Sequence, residues 1–218
     1  MSSQSRSFPA RALRRAFLLA ALVGATALFA GTPLICHPYA IGDAKSLPPG
    51  PDWHGVSRTY DRKNLTRDTL ALLQADTPII VRMETLRRAA IYATAGMRDW
   101  DKDRYTAEDR AVATDLFEQL RARTTTATGP AQGLALFDAG FFVETLRHAR
   151  MDLKIDGYKL LAHAAELHGA DPEIEFALAL ASSWPKRKEH DTHLTRARTG
   201  AKPSSLLAAN LATHFTKS

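Results

Sequence analysis

The sequence predicts an all-α protein: an irregular helical bundle or a short array of stacked helix pairs, preceded by an extended arm. Three observations carry that prediction. From Asn64 onward, apolar residues recur at helical spacing almost without a break. Helix-start and helix-stop residues punctuate that pattern repeatedly. No stretch keeps the alternation of a half-buried strand.

The N-terminus comes first. Arg6, Arg11, Arg14 and Arg15 precede an uncharged run from Ala16 to Ile35, "AFLLAALVGATALFAGTPLI". A basic region followed by an apolar region with small residues at its end is the pattern of an export signal. Ala25-Thr26-Ala27 fits a cleavage site, with Ala30 as a second candidate. "RRAFL" resembles the twin-arginine export signal, with Leu13 where a serine or threonine usually stands. If uncleaved, the run is long enough to span a bilayer and would tether the body to the inner membrane through residues 16–35. Gly24, Gly31 and Pro33 favour cleavage over a spanning helix. Residues 1–30 are therefore read as an export signal or anchor, and the body is expected to be periplasmic, secreted or membrane-tethered.

Residues 31–63 are read as an extended arm rich in proline, glycine and aromatic residues. "GDAKSLPPGPDWHG" (42–55) contains Gly-x-x-Lys-Ser, but no second glycine precedes Lys45, and Pro48-Pro49 forbid a following helix. A phosphate-binding loop is excluded. Tyr39, Trp53 and Tyr60 are the expected docking points of the arm. Cys36 is the only cysteine, so no internal disulfide can form.

Helices are expected through the domain spanning 64–185. Asn64 or Thr66 caps a short one through Gln74. Asp76-Thr77-Pro78 starts another, with Ile79, Ile80, Met83, Leu86, Ala90 and Ile91 on its apolar stripe. Thr106-Ala-Glu-Asp109 resembles a capping box opening a helix through Arg123. Gly129-Pro130 opens the next, which has the most aromatic face. Asp156 caps a helix ended by Gly169, and Asp171-Pro172 begins another, stopped by Trp184-Pro185. The remainder, 186–218, is a basic tail with room for a short helix. It carries seven basic and two acidic residues, whereas 36–185 carry 18 basic and 21 acidic ones. The overall charge of +6 thus sits at the two ends, and no nucleic-acid surface is expected.

"DGYKLLAHAAELHGADPEIEFALALAS" (156–182) is two helical stretches joined by Gly-Ala-Asp-Pro. It resembles a hairpin of the tetratricopeptide-like repeat class, which implies stacking of helix pairs. No second copy occurs at that period, and the diagnostic Trp/Leu/Gly spacing is missing.

Several clusters are candidates for chemistry. Asp99, Asp101 and Asp103 have the spacing that opens a calcium loop, but Arg104 and Arg110 stand where glycine and a bidentate glutamate are required. His190 and His193, three apart with Asp191 between them, could share a metal on a helix, but they lie in the basic tail without a third ligand. Both clusters are read as solvated connectors. Glu84 and Arg88 are spaced as a surface ion pair, and Arg82, Arg87 and Arg88 are read as a wet face. No catalytic, cofactor or metal residue is assigned. The leading expectation is a non-catalytic interaction or scaffold module with a protein partner in the cell envelope. Membrane contact is expected only through an uncleaved N-terminal segment. The alternative is an exported, hydrolase-like enzyme whose site gathers distant residues such as Glu84, Asp138, Glu144 and His148 in one pocket.

Overall fold

The computed structural model describes residues 33–52, 55–96, 105–184 and 186–215. The run read as an export signal or anchor (1–30), Trp53 and the Asp99, Asp101 and Asp103 cluster lie outside the described residues. Among the described residues the fold is all-helical. It comprises nine α-helices and no strand, with one isolated bridge between Ser183 and Lys186. They are α1 Pro33–Cys36, α2 Leu65–Leu72, α3 Ile79–Ala93, α4 Ala107–Thr126, α5 Gly129–His148, α6 Gly157–His168, α7 Pro172–Ala181, α8 His190–Gly200 and α9 Leu206–His214.

Local chemistry explains most of the boundaries. Thr106 and Asp109 form a reciprocal capping box on α4. The Asp156 carboxylate accepts from the Lys159 N–H to cap α6, and Asp171 does the same from Glu173 at α7. Gly169 ends α6 at φ +91°, a conformation costly for any residue with a Cβ. One start differs from expectation. Thr77 does not cap α3; its hydroxyl accepts from the Gln74 N–H and donates to the Leu72 carbonyl, finishing the turn after α2. The cap comes from another helix, where a carboxylate oxygen of Glu173 accepts from the Ile80 N–H at 3.3 Å.

Two helices form the centre. α3 is buried on nearly every side, including at Arg82, Glu84 and Arg87, and α5 is buried from Gly133 to Leu146 apart from Leu134. The central aromatic cluster comprises Phe137, Phe141, Phe142 and Phe176 with Tyr39. α5 lies against α6 along glycines: a Cβ on Gly140 would stand 2.8 Å from the Gly157 carbonyl oxygen and 2.9 Å from the Leu161 nitrogen. Helix α6 accordingly packs chiefly on α5, and α7 chiefly on α8, rather than on each other. Residues 186–215 join the same core through His190, Ala197, Leu207 and Leu211.

Ahead of α2, Leu34, Tyr39 and Leu47 are buried in that core, and Pro48 to Asp52 lie at the surface with no regular structure.

Candidate functional site

Buried charges on α3 must be matched, because an unpaired charge in the core costs several kcal/mol. Glu84 is fully buried and accepts four hydrogen bonds. Its donors are the Tyr39 N–H at 2.9 Å, Arg87 Nε at 2.8 Å, Arg87 Nη2 at 3.0 Å and Arg88 Nε at 2.7 Å. The arginines reach onward: Arg87 Nη1 donates to the Ile35 carbonyl at 2.9 Å, and Arg88 Nη1 donates to the Leu47 carbonyl. The Tyr92 hydroxyl donates to the Pro48 carbonyl and accepts from the Ser57 N–H. From α9, Asn210 engages both main-chain polar groups of one residue, accepting from the Ala40 N–H and donating to the Ala40 carbonyl, each at 2.9 Å. These side chains form a clasp on the main chain of residues 35–57. Arg87 and Arg88, read from the sequence as a wet face, are committed to the clasp.

A second buried pair joins α3 to α5. Arg82 Nη1 meets Asp138 Oδ2 at 2.7 Å, Arg82 Nε donates to the Thr77 carbonyl at 2.9 Å, and Nη2 donates to the Gln74 carbonyl. Arg123 donates to the Leu70 and Leu73 carbonyls, so two guanidiniums close the C-terminal end of α2. Asp138 Oδ1 is buried with no hydrogen-bond partner among the described residues. Burial pushes the Asp138 carboxyl up to about 6, against the opposing pull of Arg82. The pair borders a crevice of about 240 Å³.

A hollow of about 560 Å³ lies where the N-termini of α3, α7 and α9 converge. Its size falls in the range of ligand sites. Thr77, His168, Asp171, Glu173, Lys202 and Ser205 line it, with Leu134, Ile79 and Leu207 among the apolar walls. A second hollow of about 440 Å³ shares Ala170, Asp171, Pro172 and Gly200 with it. The two therefore flank the packing of Pro172 on Gly200, where an added Cβ would stand 2.5 Å from the proline. Three of the polar groups are engaged as caps: Asp171 on α7, Glu173 on α3, and Ser205, which accepts from the Ala208 N–H on α9. His168 Nδ1 stands 3.8 Å from Asp171 Oδ2, beyond hydrogen-bonding distance.

The four residues named for an assembled enzyme site are buried, and none of these hollows gathers them. Glu84 is in the clasp and Asp138 beside Arg82. Glu144 accepts from the Tyr158 N–H at the start of α6 and pairs with Arg147. His148 lies under the Trp184 ring, held near pKa 4 by burial, with Arg147 adding to the shift. His190 and His193 part ways too. His190 Nδ1 is 2.9 Å from the Ala179 carbonyl, whereas His193 bridges Glu175 at 2.6 Å and the Tyr158 hydroxyl at 2.9 Å. No group of three or more metal-ligating side chains occurs among the described residues, and no helix among them is long and apolar enough to cross a membrane.

Sequence reasoning missed Asn210, whose partner is 170 positions away, and the 560 Å³ hollow, whose lining comes from separate segments between Ala75 and Leu207 that no motif links. Compared with protein-family models, curated proteins and solved structures, the chain finds no match.

Proposed function

We propose that the protein is a non-catalytic interaction module, exported to the cell envelope, that docks a polypeptide segment of a partner in the furrow on either side of Pro172 and Gly200. The observation carrying this reading is how the buried titratable groups are used. Glu84, Arg87, Glu144 and Arg82 hold the chain's own backbone or one another, and Asp171, Glu173 and Ser205 cap helices. Along the furrow no nucleophile is hydrogen-bonded to a base among the described residues, whereas two adjoining hollows of mixed polar and apolar lining suit an extended segment. The export half of the reading rests on the basic and apolar N-terminal pattern.

Site-resolved photo-crosslinking in the native envelope tests it. A photoreactive residue at Lys202, in the furrow, yields a discrete adduct; one at Arg121, exposed on α4, does not. Equal labelling from both positions, or none from Lys202, refutes the reading.

One observation favours the enzyme reading: Ser205, His168 and Asp171 all border the 560 Å³ hollow. Closing the His168–Asp171 gap and turning Ser205 towards the imidazole would assemble a nucleophile, base and orienting acid. An activated ester separates the two readings. The module reading expects Ser205→Ala to hydrolyse it at the wild-type background rate, and a loss of more than about tenfold selects the hydrolase.

A further inference from the structure

We propose that the crevice between the ends of α2 and α4 and the start of α5 is a binding site for a carboxylate on a short aliphatic chain, held by Arg123 and by a proton shared with Asp138. Arg82, Arg123 and Asp138 all border this hollow of about 240 Å³. Its charges do not balance. Arg82 is matched by Asp138 at 2.7 Å. Arg123 directs two N–H groups to the Leu70 and Leu73 carbonyls and meets no carboxylate among the described residues. Two guanidiniums against one carboxylate leave the crevice with surplus positive charge.

A second observation is an orphaned oxygen. Asp138 is only 2% exposed; Arg82 engages its Oδ2, and its Oδ1 is buried without a hydrogen-bond partner. Buried polar oxygens in native folds are nearly always paired, and one left unpaired is costly. A ligand entering the crevice and sharing a hydrogen with Oδ1 would supply the missing partner.

The lining selects the ligand's chemistry. An ammonium would add charge of the sign already in excess, and a neutral amide would satisfy Oδ1 but leave the surplus. A carboxylate neutralises it and is the natural acceptor for a guanidinium. Two ionised carboxylates repel at close range, so one proton must enter from solvent with the ligand. Asp138 is prepared to hold it. Burial already lifts its carboxyl to about 6, against the pull of Arg82 from α3 and Arg123 from α4, the two charges acting on it. The chain after α2 adds Leu73, Gln74 and Ala75, none of them ionisable, and α5 adds Ala131, Leu134 and Ala135, an apolar wall for a short aliphatic chain. The crevice shares Ala75 and Leu134 with the 560 Å³ hollow, but none of its three charged groups borders that hollow. The inference therefore does not depend on what the furrow binds.

The test titrates the full chain with butyrate isotope-labelled at its carboxyl and follows binding by NMR. Saturable binding is expected at about pH 6, weakening about tenfold or more by about pH 7.5 as Asp138 loses its proton. Butyramide, of the same size but uncharged, should bind at least about tenfold more weakly at the lower pH and show no such slope. In Asp138→Asn the side-chain oxygen still accepts from Arg82 and the NH₂ stands in for the shared proton, so butyrate binding should persist and lose its pH dependence. Arg123→Gln should lower the affinity about tenfold with unaltered circular dichroism. An acetylated alanine dipeptide with a free carboxyl end, run alongside butyrate, tells a chain end from a free acid by which of the two binds more tightly. Failure of both acids to saturate overturns the proposal. So does butyrate binding that is equal at the two pH values, or no tighter than that of butyramide.

Discussion

Replacing Glu84 with glutamine tests the clasp with almost no change in volume. The carboxylate accepts from three charged donors, at Arg87 Nε, Arg87 Nη2 and Arg88 Nε, and from one backbone N–H, that of Tyr39. Glutamine keeps one acceptor oxygen and turns an NH₂ towards groups that can only donate. At least one charged hydrogen bond is lost, costing roughly 1.5–3 kcal/mol. Arg87, only 3% exposed, is left without its counter-charge, and breaking a buried pair from one side costs about 3–5 kcal/mol in all. We adopt that larger figure, since it already includes the lost hydrogen bond. Against a total stability of about 5–15 kcal/mol, the loss is large. Urea unfolding followed by circular dichroism should show a midpoint lowered by about 1 M or more. Limited proteolysis should then cut between residues 40 and 57 before it cuts the helices. Lys45→Ala, a solvent-facing change in the same segment, is the control and should shift stability by less than about 0.5 kcal/mol. If the Glu84→Gln curve superimposes on the wild type, the clasp contributes nothing and the reasoning fails.

Further outcomes are specific. Gly140→Ala gains up to about 1 kcal/mol of helix propensity, but its methyl meets main-chain atoms that cannot swing aside, so a net loss of about 2 kcal/mol is expected in the same unfolding assay. The Asp138 carboxyl, at about 6 when folded, lies above its ordinary value of 3.8. A raised folded value means that its contribution to stability is complete below about pH 4 and is lost as pH rises through 6, by up to about 3 kcal/mol. Asp138→Asn, which also carries a pH-independent cost from leaving Arg82 unmatched, should remove that slope. Parallel stability-versus-pH curves for the two proteins would contradict the assignment.

Local signals made the helices legible. Thr106, Asp156, Gly169 and Asp171 each act within three or four residues, and the structure uses all four where the sequence pattern indicates. Charge was misleading for a physical reason. Periodicity assigns a charged residue to the solvent side of a helix, yet the side of α3 carrying Glu84 and Arg87 is covered by a segment about 45 positions upstream. Such burial depends on what the rest of the chain lays over the helix, which no window along α3 contains. The start of α3 is hidden for the same reason: its cap, Glu173, is 93 residues downstream. The furrow is assembled from the ends of several helices, each readable by itself, and their meeting is a tertiary event.

The bond between Asn210 and Ala40 spans 170 positions, and it gives folding a direction. A loop of that length closes only after the intervening helices have packed, since the entropy of bringing its ends together must first be offset by contacts of shorter range. Asn210, which completes the clasp, is thus made long after the segment it fastens. Until α9 is made, residues 35–57 have Glu84 and its arginines to hold them but no latch at Ala40. The newborn chain therefore holds this segment more loosely than the finished one, and synthesis of α9 is the event that ends that interval.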